Sequence, residues 1–167
     1  MRGGCTCITA PTLTRALRLG IAFASPPLIQ VLNNIKAPYN VSSTTAALGM
    51  RAFSDEGLTL VHRNIETLKK NRTWLQDALL QLDDIIAILG AGHANFLMAQ
   101  VSSREDRTKP DNVRAQKVYK RMAEDEKVVV RFRGTEVGCE GCLRITVGTR
   151  DECEAVVARL KQTFKEL

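Results

Sequence analysis

Between Leu19 and Ala24 the chain carries an apolar run, Leu-Gly-Ile-Ala-Phe-Ala, of the length of a buried strand. Ser25-Pro26-Pro27 follows, with serine suited to a helix N-cap and proline to the first turn. The spacing predicts a helix to about Ile35 that puts Leu28, Val31, Leu32 and Ile35 on one face, ended by Ala37-Pro38-Tyr39-Asn40. Ser43 to about Asp83 reads as helix in two or three pieces, interrupted near Ser54-Asp55-Glu56-Gly57. Val61, Ile65, Leu68, Leu75, Leu79 and Leu82 hold helical spacing there, broken only by Arg72, with charge opposite. Trp74 lies beside this stripe and reads as a packing residue.

After Asp84 the texture changes. Ile85–Leu89 and Asn95–Val101 are strand candidates separated by Gly90-Ala91-Gly92. Pro110 is expected to open a helix to about Glu126, with Ala115, Val118, Tyr119 and Met122 inward. Val128–Arg133 and Leu143–Val147 are further strands; in the second, Leu143, Ile145 and Val147 share one face and Arg144 and Thr146 the other. Thr149 and Glu152 have the spacing of a capping box, and the helix they start packs Val156, Leu160 and Phe164. Residues 85–167 thus read as β-β-α-β-β-α, a compact α+β unit. Residues 1–40 read as a strand and helix with no sheet of their own to join, a pair that is not stable alone. The first ten residues carry no readable pattern and look like a frayed or foreign start.

Composition is that of an ordinary globular chain, 44% hydrophobic and 25% charged over 167 residues. No apolar stretch approaches the ~20 residues of a membrane helix, so membrane is excluded as a partner. A net charge of +6 suits a polyanion or an anionic small molecule. No nucleic-acid motif accompanies it, neither an aromatic-rich sheet nor a helix-turn-helix. From Met1 to Ser54 there is no acidic residue, a bias shared with mitochondrial transit segments, although the apolar run reads better as folded structure. Five cysteines without a secretory signal point to reduced thiols in the cytoplasm. Cys139-Glu-Gly-Cys142 is a lone CxxC, and His62 and His93 stand isolated, so no metal site is assigned.

Five segments occur in an order that resembles histidinol-phosphate aminotransferases, within the fold-type I class I/II family. They are Arg18–Ala24, Pro38-Tyr39-Asn40-Val41, Ala94-Asn95-Phe96, Val128–Gly134, and Cys142–Thr149. The resemblance runs from about residue 12 to the end. It implies an α/β and α+β fold class: a remnant of the large pyridoxal-phosphate-binding domain over 1–40, connecting helices over 41–84, and a small C-terminal α+β domain over 85–167. It also implies pyridoxal 5′-phosphate as the family's cofactor, a phosphorylated amino substrate, and a homodimer. Arg18 matches the arginine that pairs with the cofactor phosphate, a role suited to a bidentate guanidinium. Arg144 and Arg131 match arginines that bind the anionic end of the substrate, and Asn95 matches a residue near the substrate pocket.

One departure governs what the chain is expected to do. The family's Schiff-base lysine lies a few residues before the arginine matched by Arg18. That position is Ala10 in an ungapped match, or Arg15 when Thr12-Leu13-Thr14-Arg15 is set against Thr-Leu-Ser-Lys. Alanine has no amine, and a guanidinium does not form an imine. The first lysine of the chain is Lys36. The resulting expectation is a relative, truncated or short, of an enzyme that exchanges amino groups between histidinol phosphate and 2-oxoglutarate, inactive alone. The alternatives are a basic module that binds a polyanion and a chain that pairs with a full-length aminotransferase subunit.

Overall fold

The computed structural model describes residues 6–8, 19–90, 92–124, 128 and 130–167, the first three by backbone alone. Two compact units meet inside one long helix, Met1–Ile65 and Glu66–Leu167.

In the first unit, strand β1 (Thr6–Ile8) pairs antiparallel with β2 (Ile21–Phe23), Cys7 opposite Ala22. The expectation of a patternless start and a partnerless strand is therefore corrected. Three residues are too few to show the alternation by which a strand is read. Helix α1 (Pro26–Ile35) starts at Ser25, whose backbone is extended as an N-cap requires, but the hydroxyl caps nothing. None of its residues is buried: Leu28 is 38%, Val31 54% and Ile35 75% exposed. The amphipathic face exists without the burial that its spacing predicts. Helix α2 (Ser43–Ala52) is capped by Ser42, whose Oγ accepts from the Thr45 amide at 3.0 Å. The break expected near Ser54 falls at Phe53-Ser54, after which α3 (Asp55–Leu80) begins.

The second unit is an antiparallel sheet of order β3-β4-β6-β5, with β3 (Ile85–Leu89), β4 (Phe96–Val101), β5 (Arg131–Phe132) and β6 (Cys142–Thr146). Leu97, Ala99 and Val101 of β4 and Leu143 and Ile145 of β6 are buried, together with Val147 just beyond it. They form one core with Leu75 and Leu79 of α3, Ala115, Val118 and Met122 of α4 (Asn112–Glu124), and Leu160 and Phe164 of α5 (Arg150–Glu166). Tyr119, Trp74 and Val156 pack against it half-buried. The capping box is present: the Glu152 amide donates to Thr149 Oγ1, and the Thr149 amide donates to Glu152 Oε2 at 2.7 Å.

Two expectations here need correction. Helix α4 starts at Asn112, because Pro110 bridges to Ser102 and Asp111 is the cap, its Oδ1 accepting from the amides of Val113 and Arg114. The strand expected over 128–133 shrinks to Arg131–Phe132. The Val128 amide closes the end of α4 on the Met122 carbonyl at 3.0 Å, and Val130 is spent in the core.

Candidate functional site

Alternation along β4 and β6 decides which side chains share the sheet face away from the helices. On β6 these are Cys142, Arg144 and Thr146; on β4 they are Phe96, Met98 and Gln100. Arg131 is the direct cross-strand partner of Arg144, so the two arginines, thirteen positions apart in sequence, stand side by side. Opposed residues have Cβ atoms about 5 Å apart, and like charges so placed repel.

The surroundings do little to quiet that repulsion. Among the described residues no carboxylate forms an ion pair with either arginine. The Arg144 guanidinium lies over the Phe96 ring at 5.3 Å, and its Nε is buried without a hydrogen-bond partner. Phe96 is diagonal to Arg144, being opposite Thr146, which is the placement a ring needs to reach a guanidinium two residues away. Arg131 is exposed. The arrangement is a pair of forked donors, one held flat on an aromatic ring, that a phosphate or carboxylate would satisfy.

Asn95 immediately precedes Phe96 and is exposed; its carbonyl accepts from the Val147 amide at 2.8 Å, fixing it at the Thr146 end of the same sheet. Arg18, and the positions Ala10 and Arg15, lie outside the described residues. Cys142, two residues before Arg144, is a buried free thiol whose pKa is pushed up to about 11, by burial first and by Cys139 second. It is therefore protonated and inert at neutral pH. Among the described residues no group of side chains could hold a metal ion, and no helix is long and apolar enough to cross a membrane.

A second basic cluster lines a cleft of about 450 Å3 beside α5, with Arg104, Arg107, Arg114, Lys161 and Lys165. Much of it is internally paired. Asp84 Oδ1 accepts from Arg114 at 2.7 Å and Arg107 at 2.6 Å, and Arg104 donates to the Leu167 carbonyl.

None of the sheet-face residues beside Arg131 and Arg144 is a lysine, the amine that the imine of pyridoxal phosphate needs. Sequence reading missed Phe96 as the platform under Arg144. The signal available was period-two spacing, which puts Phe96 and Met98 on one face of β4 just as it puts Arg144 and Thr146 on one face of β6.

Comparison with known proteins gives the family and the fold. Residues 14–160 match the family described as aminotransferase class I and II. Histidinol-phosphate aminotransferase of Schizosaccharomyces pombe is 38% identical over 150 residues, covering 90% of this chain and 39% of that protein. The Saccharomyces cerevisiae protein of the same name is 36% identical over 166 residues, 96% of this chain and 42% of the relative. The chain thus spans about two fifths of the length of these relatives. In fold it resembles histidinol-phosphate aminotransferase from Sinorhizobium meliloti, solved in complex with pyridoxal-5′-phosphate. The TM-score is 0.80 at 18% identity, covering 97% of this chain and 41% of that one.

Proposed function

Since the chain belongs to the class I and II aminotransferase family, we propose that it is the substrate-anion-binding portion of a histidinol-phosphate aminotransferase. In this reading Arg131 and Arg144 grip the phosphate of the amino substrate and Asn95 borders the pocket. The observation that carries it is the pairing of two arginines opposite one another with no carboxylate between them. Relatives named histidinol-phosphate aminotransferase at 36–38% identity support the substrate class. Pyridoxal phosphate is the family's cofactor, and Arg18 is the position for its phosphate. Lysine is absent before Lys36, so the chain alone is proposed not to transfer amino groups. A cytoplasmic location belongs to the same proposal and rests on Cys139, Cys142 and Cys153 being free thiols.

Calorimetric titration of the purified chain tests it. Histidinol phosphate is expected to bind and histidinol to bind far more weakly, with no 2-oxoglutarate-dependent turnover of either. Equal affinity for the two ligands would remove the phosphate role from Arg131 and Arg144. Turnover by a preparation free of other aminotransferases would refute the inactivity.

A second reading has its own support. Helix α1 exposes Leu28, Val31 and Ile35 on one face, a surface suited to pairing with a lysine-bearing aminotransferase subunit. Co-purification of such a subunit is the expected result, and a clean monomer in its presence would count against it. A polyanion-binding role draws less support, because three of the five basic side chains lining the cleft beside α5 are engaged within the protein, Arg107 and Arg114 by Asp84 and Arg104 by the Leu167 carbonyl.

A further inference from the structure

We propose that Asn112 is a positioning residue for the arginine pair, its carboxamide clamping both ends of the β5–β6 loop so that Arg131 stays in register with Arg144. The inference rests on the anion-site reading above.

The need for a clamp follows from the length of β5. Its pairing with β6 consists of Arg131 opposite Arg144 and Phe132 opposite Leu143, continued by the Arg133 amide donating to the Cys142 carbonyl at 2.8 Å. A slip of one residue would turn Arg131 to the other face of the sheet. The two guanidinium groups repel, so the charge that suits an anion also pushes the short strand away.

Asn112 is placed to resist this. Its Nδ2 donates to the Gly134 carbonyl at 3.0 Å, and its Oδ1 accepts from the Gly141 amide at 2.7 Å. One planar group therefore bonds the residue that leaves β5 and the residue that enters β6. An asparagine at a helix start would ordinarily satisfy the free amides of its own helix. Here Asp111 does that, accepting from the amides of Val113 and Arg114, and the Asn112 side chain is left for the loop. Both feet of the loop are glycines for steric reasons. A Cβ on Gly134 would overlap Asn112 Oδ1 and the Phe132 ring. Gly141 has φ +69°, and a Cβ there would lie 2.8 Å from the Val101 carbonyl oxygen.

The test follows the arginine Nε–H signals by NMR while the full chain is titrated with inorganic phosphate, together with amide hydrogen exchange at Arg133. Asn112→Ala removes both bonds; Asn112→Asp keeps only the acceptor for Gly141; Gly134→Ala opens the clamp from its other side without changing Asn112. In the wild type the Arg131 and Arg144 signals are expected to move. Asn112→Ala and Gly134→Ala are each expected to weaken phosphate binding by roughly tenfold, the ordinary net worth of two hydrogen bonds. Both should also speed exchange at Arg133, with Asn112→Asp between them and the wild type. Absence of any wild-type response would overturn the anion site itself. A response left unchanged by both variants would overturn the clamp alone. Weakened binding with unchanged exchange at Arg133 would also overturn it, since the register would then be intact.

Discussion

Replacing Arg131 by glutamine should make the sheet unit more stable while depriving it of its anion. Arg131 is exposed and forms no ion pair among the described residues, so neutralising it forfeits little packing and no salt bridge. What it removes is repulsion from Arg144 directly across the strand pair. With the charges roughly 7 Å apart and an effective dielectric constant between about 40 and 80, that repulsion is about 0.6–1.2 kcal/mol. For a unit of roughly 100 residues this is a rise in Tm of about 3–8 °C. The effect is electrostatic and surface-exposed, so it should fade as the Debye length falls from about 30 Å at 0.01 M salt to about 3 Å at 1 M. Phosphate reverses the order: at about a hundred times its Kd it adds about 2.7 kcal/mol to the wild type and far less to the variant. Thermal unfolding at low salt, at 1 M sodium chloride and with phosphate reads all three. A variant less stable than wild type at low salt, or a difference that salt leaves untouched, would refute the reasoning.

Two further outcomes test the core and the thiol beside the site. Asp84→Ala strands Arg114, whose side chain is 7% exposed. A buried pair broken on one side costs about 3–5 kcal/mol. The remaining bond to the Ser102 carbonyl and the Phe164 ring hold the loss to the low end of that range, a fall in Tm of at least about 10 °C. A loss under about 0.5 kcal/mol would sink the argument, and Asp84→Ala with Arg114→Met should recover most of the stability. Cys142 carries a folded-state pKa of about 11 against an ordinary value of 9.0. An unfolded chain loses this proton first, so stability is unaffected below pH 9 and declines as pH rises from 9 to about 11. Alkylation of Cys142 should stay slow until that window, and rapid labelling at pH 8 would contradict its burial.

Much of the second unit is legible from local pattern. Thr149 and Glu152 announce the start of α5, and Leu143, Ile145 and Val147 announce the buried face of β6. From that face the opposite placement of Arg144 follows. The neighbouring position of Arg131 came from resemblance plus strand order. What stayed hidden depends on contacts that no window spans. Asn112 finds its partners 22 and 29 positions away, and Arg114 finds Asp84 at a separation of 30. Val128 has strand chemistry, yet its amide is claimed by the end of α4. In the first unit β1 is three residues long, and the apolar face of α1 is real as a pattern but unburied, since spacing records what a helix could cover and not what covers it.

The position of β5 in the sheet has a consequence for solubility. Among the described residues it is a terminal strand, and the outer edge of such a strand is a template on which another chain can add. Shortness and charge are the usual defences, and β5 has both: it is two residues long, begins with exposed Arg131, and is followed by Arg133. The guanidinium proposed to hold an anion thus also guards the sheet against self-assembly. Sequence drift that neutralises Arg131 would trade ligand affinity for a firmer fold and leave a barer, stickier edge.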